Sequence, residues 1–142
     1  MHRTNTFLCV DPGKKYFGWV LVDNRIIVKA GLWEDNRFLA NHFPGVDTCV
    51  CESQFSSDRK KVADILDLAR AAGEIAGQFP NRVYIRPTTQ SKTRFQEHGW
   101  NAMIESERNA IAFLKKSEQY HVKDAASIAM KYLGRLYGGA GV

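Results

Sequence analysis

Three carboxylates stand where apolar stretches of this chain end or begin, and their placement proposes a chemistry. Asp11 closes the run Phe7-Leu8-Cys9-Val10, and Glu52 closes Thr48-Cys49-Val50-Cys51. Asp124 opens Asp124-Ala125-Ala126-Ser127-Ile128-Ala129-Met130, with His121 three residues before it. An acid at the tip of a buried strand loses hydration and needs compensation. Three acids brought together repel one another and call for cations, and hard oxygen ligands of this kind suit Mg²⁺ or Mn²⁺. The pattern therefore reads as a metal-dependent enzyme acting on phosphate. Each acid also has a plainer use. Aspartate before Pro-Gly starts many turns, a solvated strand-end glutamate needs no partner, and aspartate is a frequent helix N-cap.

The elements that must position these groups follow from periodicity and punctuation. Residues 6–11 read as a short buried strand stopped by Asp11-Pro12-Gly13. Tyr16 to Val22 and Ile26 to Leu32 form two further strands around the turn Asp23-Asn24-Arg25. Residues 34–43 suit one or two helical turns before Pro44-Gly45, and Thr48 to Glu52 is a fourth strand. Ser56-Ser57-Asp58 offers N-caps for a helix of about twenty residues. Its apolar positions Val62, Ile65, Leu66, Ala69, Ala72 and Ala76 keep the helical rhythm, and Phe79-Pro80-Asn81 ends it. Val83 to Arg86 is a short fifth strand, and Thr88 to Gly99 is polar and basic. Ala102 to Lys116 predicts a helix with Met103, Ala110, Ile111 and Leu114 inward, and a last helix runs from about Val122 to Tyr137.

This order predicts an α/β fold: a five-stranded mixed sheet, three strands antiparallel and two parallel, flanked by helices. With the first and fourth strands adjacent at the centre, Asp11 and Glu52 come side by side. The start of the last helix can then bring Asp124 against them.

Composition narrows the class. A chain of 142 residues is most simply one domain, residues 1–142, and it can build a core without staples. No apolar run approaches the roughly 18 residues needed to span a bilayer. The N-terminus leads straight into a strand without a signal-peptide pattern, so cytoplasmic residence is expected. Cys9, Cys49 and Cys51 are odd in number and lie in strand-like runs, which suits small buried hydrophobes in a reducing compartment. Alternation turns the Cys49 and Cys51 thiols to one face, and no second Cys/His pair stands at zinc spacing. The net charge of +5 gains meaning beside an acidic pocket. A nuclease needs Lys and Arg to hold a polyanion while acids hold its metal.

Taken together, these segments resemble the RuvC-type Holliday junction resolvases of the ribonuclease H-like superfamily. Val10-Asp11-Pro12-Gly13 followed by Gly18 looks like that family's opening strand and hairpin. Glu52-Ser53-Gln54-Phe55 is similar to its Glu-Gln-Val-Phe segment. His121-Val122-Lys123-Asp124-Ala125-Ala126-Ser127-Ile128-Ala129 resembles its closing Asp/His-x-x-Asp-Ala-x-Ala-x-Ala segment. Gln90-Ser91-Lys92 looks like a Gln-Val-Lys segment that carries a functional lysine, and Arg108 stands where a second basic residue is found. The chain departs in having less sequence between Asp11 and Glu52, and in carrying His121 at the fourth acidic position. Its short length suggests a phage-like or divergent member, which leaves a host-cell cytoplasm or an organellar matrix open as its location.

The resemblance implies a homodimeric, Mg²⁺-dependent endonuclease that makes symmetric cuts in four-way DNA and leaves ligatable 5′-phosphate ends. Two divalent ions about 4 Å apart can activate water, shield the phosphate and stabilise the leaving oxygen. Asp11, Glu52, His121 and Asp124 would be the ligands, Mn²⁺ substituting for Mg²⁺, and Lys92 would meet the scissile phosphate. Phe55 would wedge into the branch point; its plainer reading is a core phenylalanine. Lys14, Lys15, Lys60, Lys61, Arg94 and Arg108 are the candidate DNA contacts. Trp19, Trp33 and Trp100 suit core or dimer anchors better than base readers. Alternatives are a structured-RNA nuclease of the YqgF type, a non-catalytic ribonuclease H-like module, and an actin-like phosphotransferase, for which the chain is too short.

Overall fold

The computed structural model describes residues 6–11, 17–33, 39–52, 70, 73–85, 97 and 99–137. Five strands form one sheet: β1 (Thr6–Asp11), β2 (Phe17–Asp23), β3 (Ile26–Trp33), β4 (Thr48–Glu52) and β5 (Asn81–Ile85), in the order β3-β2-β1-β4-β5. β1 pairs antiparallel with β2 and parallel with β4; β2–β3 is antiparallel and β4–β5 parallel. The sheet expected from the sequence is therefore present, with β1 at its centre. Phe7, Leu8, Cys9 and Val10 are all at most 4% exposed, which is why β1 reads as a continuous apolar run rather than an alternating one.

The β2–β3 hairpin turns through Asn24 and Arg25, both with positive φ (52° and 69°). A two-residue loop of that hand matches the strand twist, and asparagine adopts it readily. Arginine does so less readily, and its guanidinium lies 3.6 Å from the centre of the Tyr137 ring.

Alternation divides the core into two layers. Phe7, Cys9, Val20, Val22 and Val50 face one side, which is covered by the long helix α2 (Lys116–Tyr137). Leu8, Val10, Cys49 and Cys51 face the other, against Phe43, Val46, Ile75, Ala76 and Phe79. A 3₁₀ turn at Leu39–His42 occupies the region predicted for a short helix. Residues 73–76 are the tail of the helix expected before Phe79, with Gly77 N–H donating to the Gly73 carbonyl at 2.8 Å. Val62, Ile65, Leu66, Ala69 and Ala72, the apolar positions expected along that helix, lie outside the described residues.

The expected 102–116 helix is two pieces. Buried Met103 forms a parallel bridge with Ile27, and extended Ile104 precedes α1 (Glu105–Ile111). Ala110 is exposed rather than inward. The last helix begins at Lys116 rather than near Val122. Lys115 N–H donates to Glu118 Oε1 at 2.9 Å, half of a capping box that the absence of Ser or Thr at the cap had concealed. Among the described residues, no helix is long and apolar enough to cross a membrane.

The cysteines are free and buried, and the Cys49 and Cys51 sulfurs lie 4.0 Å apart on one face, as alternation requires. Burial pushes the Cys9 thiol well above its ordinary pKa. The hydrogen bond to Cys51, then burial, does the same for Cys49. The thiolate is the reactive form. Native protein at pH 8 is therefore expected to react negligibly with a thiol-specific chromogenic reagent, and to titrate three thiols once unfolded. Stoichiometric native labelling would contradict this packing.

Candidate active site

The site is built from the end of β1 outward. Asp11 follows Phe7 and Cys9 in period two, so its side chain lies on the face covered by α2. Glu52 follows Val50 in the same way on β4. The parallel register pairs Val10 with Cys51, so Asp11 and Glu52 succeed the last paired rung on neighbouring strands. Both are half-buried.

α2 supplies the second half. His121 and Asp124 stand three apart on one side of the helix, and His121 lies against the end of β1. His121 Nδ1 lies 3.0 Å from Asp11 Oδ2, joining residues 110 positions apart. A carboxylate only accepts, so Nδ1–H is the donor, and in the neutral ring Nε2 then carries the lone pair. The two side chains are 33% and 18% exposed: sheltered, but open to solvent.

A glycine permits this contact. Gly18 faces Asp11 across the β1–β2 ladder. A Cβ there would come within 2.1 Å of the His121 carbonyl oxygen and 2.4 Å of the Val122 nitrogen. Gly99 plays the same part farther along, where a Cβ would lie 2.4 Å from the Lys123 carbonyl oxygen. The sequence marked Gly18 only as part of a motif. An isolated glycine between aromatic strand residues is itself a sign of close backbone approach.

Several expectations need restating. Asp124 does not cap α2; it sits more than two turns inside the helix, so the N-cap explanation for it falls away. Asp11 and His121 touch, but among the described residues no three His, Cys, Asp or Glu side chains are grouped closely enough to hold a metal ion. Arg108 lies on α1, its guanidinium donating to the Met103 carbonyl at 2.6 Å. There Glu107 accepts from Ala30 N–H of β3 at 2.9 Å, and β3 is two strands across from β1. Lys14, Lys15, Phe55, Lys60, Lys61, Lys92 and Arg94 lie outside the described residues.

No protein-family model matches the chain, and no curated protein matches it. Solved structures do. RuvC of T. thermophilus in complex with Holliday junction substrate superposes with a TM-score of 0.53 at 13% identity, over 93% of this chain and 96% of that one. A second Thermus thermophilus RuvC structure gives 0.50 at 13% identity, over 92% and 96%. What is shared at that identity is the arrangement of the chain. The protein has the RuvC fold, a ribonuclease H-like α/β architecture with Asp11 at the end of its central strand.

Proposed function

We propose that this protein is a divalent-metal-dependent endonuclease that resolves four-way DNA junctions by symmetric cuts, acting as a homodimer. One observation carries the reading. Asp11 and His121, 110 positions apart in sequence, are in contact where β1 and α2 meet, with Glu52 at the end of the neighbouring strand β4 and Asp124 three residues on from His121. The RuvC fold and the chain's +5 charge support it.

The donors suit Mg²⁺ or Mn²⁺ in kind: carboxylate oxygens and one imidazole, partly open to solvent. Among the described residues they do not form a closed cage; Asp11, Glu52, His121 and Asp124 are the residues that would hold the cation. Bound there, two such ions supply Lewis acidity and an acidified water. The chain's own residues do the rest. The Asp11 carboxylate fixes the ring of His121, which leaves the Nε2 lone pair as the one position from which the ring could ligate the cation. Basic side chains hold the phosphate backbone and set its position.

The test compares a labelled mobile four-way junction, a linear duplex and a structured RNA, each with and without Mg²⁺. Paired symmetric nicks in the junction alone are expected. Preferential RNA cutting would make it an RNA-processing nuclease, and tight junction binding without cutting in Mg²⁺ or Mn²⁺ would make it a binding module.

Metal binding has a readout independent of cutting. Mn²⁺ at a hundredfold excess over its Kd stabilises a folded protein by about 2.7 kcal/mol. For a domain of this size that is a rise in Tm of roughly 5 °C or more. The rise is expected in wild type and absent in Asp11→Asn; equal rises in both would remove Asp11 from the metal site.

A further inference from the structure

A cleft of about 380 Å³ opens between helical residues 99–102 and the first turns of α2. Trp100, Asn101, Lys116, Gln119, Tyr120 and Lys123 line it. Lys123 Nζ lies 4.7 Å from the centre of the Trp100 ring and 5.8 Å from that of Tyr120, a cation set between two aromatic faces. Tyr120 is 41% exposed, while Trp100 is half-buried and also packs on the core, so the anchor role expected for it is only part of its use. The floor is fixed, because Gln119 Nε2 donates to the Leu114 carbonyl at 2.8 Å and holds the turn between α1 and α2. Glu97 is the one acid among the described lining residues, against two lysines.

We propose that this cleft binds an unpaired nucleotide, its base stacked on Tyr120 and Trp100 and its phosphate held by Lys123 and Lys116. Aromatic faces interleaved with cations in an open groove are the composition by which proteins hold single-stranded nucleic acid without reading its sequence. The cation–aromatic contact is weak at an exposed site. An incoming phosphate can therefore draw Lys123 aside and bare the ring faces for a base.

Position supports the assignment. Residues on α2 advance by about 100° each. Lys116, Gln119, Tyr120 and Lys123 thus form one stripe, and His121 and Asp124 the stripe beside it. The cleft therefore lies on the flank of α2 next to the one that carries Asp124 and His121. The choice of polymer rests on the nuclease reading above, whereas the binding itself needs no metal.

The experiment measures fluorescence anisotropy of a labelled short oligo(dT), and of an abasic strand of equal length, without divalent ions. Wild type is expected to favour the base-bearing strand by at least about fivefold. Tyr120→Ala, and Tyr120→Leu if the alanine variant does not fold, should bring that ratio close to one. Lys123→Gln should weaken both strands, and Arg82→Gln on β5, an equal loss of charge, should leave the ratio unchanged. Equal affinity of wild type for the two strands, or a ratio untouched in the Tyr120 variants, overturns the proposal. Asp11→Asn should keep the full ratio. Loss of the cleft reading thus leaves metal-dependent cutting standing, and loss of the nuclease reading leaves base-dependent binding standing.

Discussion

Asp11→Asn is expected to reduce junction cutting by on the order of 10³-fold or more while leaving the protein folded. The substitution is nearly isosteric, and an amide oxygen can still accept the Nδ1–H of His121, so the 3.0 Å contact need not be lost. What disappears is charge, the property the proposed cation site needs from this position. Stability should change little, because the size of the side chain and an acceptor for the His121 Nδ1–H are both kept. A time course on a labelled four-way junction, paired with a thermal melt, separates the two effects. Cutting that persists at the wild-type rate would take Asp11 out of the chemistry, and a collapse of the melt would mean that its charge is structural.

The carboxylate half of this site was legible in the sequence because it depends on strand register. Once residues 6–11 and 48–52 are recognised as parallel neighbours, period two alone puts Asp11 and Glu52 on one face. The helical half was less legible. Asp124 looked like a cap because helix starts are marked by side-chain acceptors, and the real start at Lys116 is secured by Glu118 reaching back. The 102–116 stretch has helical periodicity throughout, but Met103 gains more by burial against β3 through its bridge to Ile27 than by continuing a helix. No local pattern could show that His121 would lie on Asp11, since that contact depends on the depth to which α2 settles on the sheet.

That depth is the subject of the second large effect. Gly18→Ala is expected to destabilise the protein by about 3 kcal/mol or more and to impair cutting with it. In a strand interior, alanine is ordinarily favoured over glycine by roughly 0.5–1 kcal/mol. Here the added Cβ would stand 2.1 Å from a main-chain oxygen of α2, an atom that cannot swing away as a side chain can. Relief requires the helix to lift, and lifting it carries His121 off Asp11 and opens the layer formed by Val122, Ala125 and Ala126. Gly73→Ala is the matched comparison, since a Cβ there meets nothing within 4 Å, and it should stabilise by about 0.5–1 kcal/mol. Urea denaturation of the two variants beside wild type gives the signs directly. A neutral Gly18→Ala would show that α2 sits less closely on β2 than the structure has it.

The 110-residue span between Asp11 and His121 has a consequence for biosynthesis. Contacts so far apart in sequence form late, because the loop between their ends must be closed first. A nascent chain that already carries Asp11 and Glu52 still lacks the imidazole, and it also lacks the helix that covers one face of its sheet. On the nuclease reading proposed above, cutting is expected only once α2 has been made and has docked, and a chain truncated before Lys116 is expected to leave the α2 face of its sheet uncovered.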